Sequence, residues 1–123
     1  MARTTSALST VITEPVTTVP GAPVIGTPTR GAAGGALTAT ATWTPPANTG
    51  GTAITSYQVT ALRMSSTATN ATVLGFTQSP LLGASARSRQ FTLITGNYRF
   101  VVVATNIAGT SRASARSISV TPQ

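Results

Sequence analysis

Eight arginines and one glutamate, Glu14, are the only charged side chains in this chain; Lys, Asp, His and Cys are absent. General acid–base catalysis needs a group that titrates near the working pH, most often His, Glu or Asp. A nucleophile needs an activating base beside it. The single carboxylate lies in a Thr/Pro-rich N-terminal segment, away from any plausible cleft. Zinc is held by Cys/His clusters and calcium by several hard oxygens, usually carboxylates. The sequence therefore predicts no enzyme, no metal site and no cofactor.

What remains for the charges is binding. Arg30, Arg63, Arg87, Arg89, Arg99, Arg112 and Arg116 are spread over several segments rather than gathered in one run. Their plainest role is solubility, on a chain otherwise kept polar by Thr, Ser, Asn and Gln. Nucleic-acid contact favours a clustered basic stripe with exposed aromatics. Here the few aromatics all have places in a core, so nucleic acid is disfavoured as a partner. A net charge of +7 suits attraction to an acidic protein or glycan surface.

No segment approaches the roughly 20 apolar residues of a membrane span. Residues 1–10 also lack the apolar run of about 7–15 residues that marks a secretory signal. Membrane insertion is not expected, and the chain is expected to stay inside the cell or to leave as part of something larger. The lack of cysteine fits a reducing cytosol and equally a disulfide-free exported module.

The elements that must position these residues are strands. With 123 residues and 41% hydrophobic content, the chain can bury one core. Asn97–Asn106 alternates, placing Tyr98, Phe100, Val102 and Ala104 on one face. Leu37–Trp43 does the same with Leu37, Ala39, Ala41 and Trp43 inward and three threonines outward. Ala53–Leu62 offers Ile54, Tyr57, Val59 and Ala61 to the core, and Arg87–Leu93 offers Phe91 and Leu93. Pro23–Pro28 reads as a short edge strand in which Val24 and Ile25 supply apolar contact. A glycine-rich turn follows over 29–35, and a loop over 44–51. Residues 71–76 are a candidate strand and 77–83 a loop or short edge. A last strand is expected over 113–120, with Ile118 and Val120 on one side. No helical period and no internal repeat is found.

Residues 1–19 form a Thr/Pro-rich arm, biased to extended backbone by Pro15. A tail of this composition is expected either to stay without fixed structure or to lie on the domain or on a neighbouring chain. Twenty extended residues span at most about 70 Å, enough to cross onto another subunit. Thr4, Leu8, Val11, Ile12, Val16 and Val19 are its candidate assembly contacts.

Seven short strands with turn signals about every 8–12 residues point to a β-sandwich. The motifs narrow this. Over about residues 20–122 the chain resembles a fibronectin type III domain, in a style similar to modules of bacterial carbohydrate-active enzymes and of phage virion proteins. The resemblance rests on Pro20–Pro23, on Trp43 followed by Pro45-Pro46, and on Gly50-Gly51 with Ile54, Tyr57 and Val59. It rests also on Leu93, on Tyr98 to Ala104 with Asn106, and on Gly109-Thr-Ser111. It implies an all-β, seven-stranded antiparallel sandwich over 20–123, with Trp43 packed between the sheets. It also implies that Leu93 and Tyr98 form a corner in which the tyrosine hydroxyl ties back to the main chain.

The outward face of the Tyr98 strand is the candidate contact surface, with Val101 and Val103 beside Arg99 and with Leu62 adjacent on the neighbouring strand. The expected function is that of a non-enzymatic structural or binding protein attached to a multimeric assembly. The first candidate is a phage virion accessory, decorating a capsid or associated with a tail, made in the host cytoplasm and binding an acidic capsid or tail surface. The alternative is a cell-surface or secreted adhesion module, with a glycan as ligand, belonging to a longer protein.

Overall fold

The computed structural model describes residues 16–123; the arm positions Thr4, Leu8, Val11 and Ile12 lie outside the described residues. Nine strand segments and no helix occur among the described residues. They are β1 (Val24–Ile25), β2 (Thr29–Arg30), β3 (Thr38–Thr44), β4 (Ser56–Met64), β5 (Val73–Gln78), β6 (Leu82–Gly83), β7 (Ser88–Thr92), β8 (Asn97–Asn106) and β9 (Gly109–Thr110). All pairings are antiparallel.

The nine segments resolve into seven strand lines, because two lines are broken. β1 and β2 lie along one edge of β3, with Ile25 opposite Trp43 and Thr29 opposite Thr40. Pro28 separates them and has no N–H to give to a ladder. β5 and β6 likewise share one edge of β4. One sheet is β1/β2–β3–β7, and the other is β9–β8–β4–β5/β6. Thr29 and Arg30, expected in the glycine-rich turn, are strand residues instead, and the turn begins at Ala33. Val24 is exposed, so only Ile25 of that pair packs on the core.

The alternation in β3, β4 and β8 decides what is buried. Ala39, Ala41 and Trp43 meet Tyr57, Val59 and Ala61 across the sheets, with Phe91, Leu93, Tyr98, Phe100, Val102, Ala104 and Val120 completing the core. The Trp43 and Tyr57 rings are 5.7 Å apart, and those of Phe91 and Phe100 are 5.4 Å apart. Both pairs join the two sheets. Tyr98 donates its hydroxyl hydrogen to the Ile94 carbonyl at 3.1 Å, which closes the tyrosine corner and fixes where β8 begins.

The last line departs from the expected alternating strand, and Ile118 does not share a side with Val120. Ile118 is 62% exposed and Val120 is buried. The period here is three, not two. Ser111, Ser114 and Ser117 are buried and their intervening neighbours mostly exposed. Each of these serines donates its N–H to β8, at Ala104, Val102 and Phe100 respectively, over 2.8–2.9 Å. Its hydroxyl oxygen accepts the N–H of that same β8 residue at 2.8–3.0 Å. The hydroxyl replaces the carbonyl that a regular strand would present, so β8 is satisfied without a pleated partner. Ser79 treats Val59 of β4 the same way.

Candidate contact surface

The register of β8 against β4 builds the outer face row by row. Leu62 sits opposite Arg99, Thr60 opposite Val101, and Gln58 opposite Val103. β5 extends two rows, placing Phe76 beside Leu62 and Gln78 beside Thr60. The candidate residues Leu62, Arg99, Val101 and Val103 are thus brought together, each half-buried. Phe76, which sequence reasoning left to the core, joins them with 66% of its surface exposed. It is the one exposed aromatic among the described residues.

Arg99 is held in place on this face. Its Nη1 donates to the Ser117 carbonyl at 2.9 Å and its Nη2 to that of Thr67 at 3.1 Å. Gln58 donates to the Ser79 carbonyl at 2.9 Å. Long side chains fixed in this way lose less freedom when a partner arrives. The face offers an apolar centre of Leu62, Val101, Val103 and Phe76 with one oriented cation.

The electrostatics are one-sided. Arg3 and Glu14 fall within residues 1–15, so residues 16–123 hold seven arginines and no acidic side chain. Arg63 and Arg87 bond main-chain carbonyls instead of carboxylates: Thr95 for Arg63, and Ala84 and Ala86 for Arg87. Arg87 also lies over the Tyr57 ring, 5.6 Å from its centre. A guanidinium has five N–H donors, so each keeps capacity for an outside acceptor.

Two further features lie at the rims. At the β8 C-terminal end, buried Asn106 donates from Nδ2 to the Thr18 and Thr49 carbonyls, both at 2.8 Å. Its Oδ1 accepts from the N–H groups of Ala108 and Gly109. This ties the end of the arm to the loop before β4. Gly50, at φ 86°, is required there because a Cβ would overlap the Thr18 carbonyl oxygen. Val16 and Val19 are exposed at this end. At the opposite end a groove of about 500 Å³ opens between β5 and β7, lined chiefly by Arg63, Leu74, Phe76, Leu93 and Ile94. Sequence reasoning missed the groove and its exposed Leu74 and Ile94.

No protein-family model and no curated protein sequence matches the chain. Solved structures do. A multidomain fragment of titin superposes with a TM-score of 0.56 at 27% identity over 84% of this chain. Titin kinase with its flanking domains gives 0.56 at 26% identity over 84%. The FN5 domain of Drosophila Lar gives 0.57 at 19% identity, over 84% of this chain and 96% of that domain. The fold is fibronectin type III-like. The chain spans 32% and 17% of the two titin chains, a single module within each. A fibronectin type III-like fold is consistent with a structural or binding module. No helix among the described residues is long and apolar enough to cross a membrane.

Proposed function

We propose that this chain is a non-enzymatic module that attaches to a larger protein assembly through the outer face of β4, β5 and β8. One observation carries the reading: Leu62, Val101, Val103 and Phe76 share one face with a pinned Arg99, on a domain with no side-chain carboxylate among its described residues. Apolar area supplies affinity, and the unopposed cations select an acidic partner and speed encounter. The assembly that suits a small basic module of this kind is a virion, with the chain decorating the capsid or associated with the tail.

Recovery of the chain at fixed copy number with purified particles tests this. Val101→Asp with Val103→Asp is expected to keep the fold and to abolish retention, and wild-type retention is expected to weaken as salt rises. Undiminished retention of the double variant would overturn the assignment of the face. A second reading, a glycan-binding adhesion module at a cell surface, is favoured by exposed Phe76, on which a sugar ring could stack. Loss of glycan binding in Phe76→Ala, with particle retention absent throughout, would select it.

A further inference from the structure

We infer that the free edge of β5 and the groove beside it receive residues 8–14 of a second copy of this chain. The inference shares β5 and Phe76 with the proposed particle-binding face, but its partner is a second copy of the chain and its test needs no particle.

Sheet edges invite pairing with another chain unless something blocks them. Most edges of this sandwich are blocked. β1 and β2 are interrupted by Pro28, β7 carries Arg89, and β8 is closed by the serine line. β5 has neither proline nor charge, and no strand among the described residues pairs with its outer side. Five of its six residues are exposed. Leu74 and Phe76, together with Ile94 across the groove, are 58%, 66% and 67% exposed. A strand added here would gain main-chain hydrogen bonds from β5 and bury those side chains.

The segment that fits lies in the same sequence. Leu8, Thr10, Ile12 and Glu14 share one side of an extended strand, because side chains alternate. Two aliphatic groups thereby enter the groove together with the chain's only carboxylate. The groove presents one cation, Arg63, held by a single bond from Nε to the Thr95 carbonyl. Seven residues match the six of β5, and Pro15 ends the added strand because it cannot donate to a ladder.

Geometry selects a second copy. The arm enters the described structure at Val16, whose carbonyl lies against Gly51, at the Asn106 end of the sandwich. Arg63 is opposite Tyr98, eight residues down β8. That is about 26 Å at roughly 3.3 Å per residue. From Glu14 to Val16 the chain covers only about 7 Å, so a molecule's own Glu14 is at the wrong end. Reciprocal exchange of arms closes a dimer, and one-way donation builds a ring or a chain of modules.

The test is sedimentation velocity on full-length chains at physiological salt. Wild type is expected to self-associate. Glu14→Arg and Arg63→Glu, each alone, should raise the dissociation constant at least about tenfold, since each sets like charges together. Mixed in equal amounts, the two variants should associate again, because each arm then finds an opposite charge on the other chain. Melting curves establish that each variant is folded. Should Arg63→Glu not fold, Leu74→Lys at the exposed bulge must weaken self-association instead. A monomeric wild type, a mixture no different from its components, or arms that dock only within their own molecule would each overturn the inference.

Discussion

Trp43 is 3% exposed and packs against Tyr57 across the interior. Trp43→Ala is expected to cost about 3–5 kcal/mol through lost contact and a residual cavity. That is a large share of the roughly 5–15 kcal/mol that holds a domain together. A denaturant midpoint close to wild type would contradict the packing described. The serines allow a sharper contrast. Ser114→Ala removes the acceptor for the buried Val102 N–H and should cost about 1–3 kcal/mol. Ser119 has a buried hydroxyl with no partner, so Ser119→Ala should be neutral or stabilising. Equal losses in the two variants would show that the period of three is wrong.

Among the elements, β3, β4 and β8 were legible because one face of each is buried and the alternation is unbroken in β3 and β8 and, in β4, as far as Leu62. The final line was not, because Ala-Ser-Ala-Arg-Ser-Ile-Ser-Val, residues 113–120, was read with a period of two. Its own signal was present as serine at every third position, ending in Val120. β5 was obscured differently: a bulge opposite Arg63/Met64 shifts its register, and its apolar residues face outward. Hydrogen exchange checks the serine line directly. The amides of Phe100, Val102 and Ala104 should be as protected as those of a regular ladder. Those of Arg112, Ala113, Ala115 and Arg116 should exchange quickly, being outside it. Uniform protection from 111 to 120 would indicate an ordinary strand.

At the scale of the molecule, the grouping of residues on the candidate contact face was partly legible. Leu62, Arg99, Val101 and Val103 followed from parity alone, since the outward positions of adjacent strands share a face. Phe76 and the groove were not, because they depend on where β5 registers against β4, which no local pattern states. The outer face is the central claim, and the cysteine-free chain permits a direct test of it. A photo-crosslinker is attached at Thr60→Cys, between Val101 and Gln78 on the outer face, or at Thr40→Cys on the outside of the opposite sheet. Each labelled chain is bound to the purified assembly and irradiated. One discrete adduct from Thr60→Cys and none from Thr40→Cys is the predicted result. Adducts of equal yield from both positions, or from Thr40→Cys alone, would contradict the account.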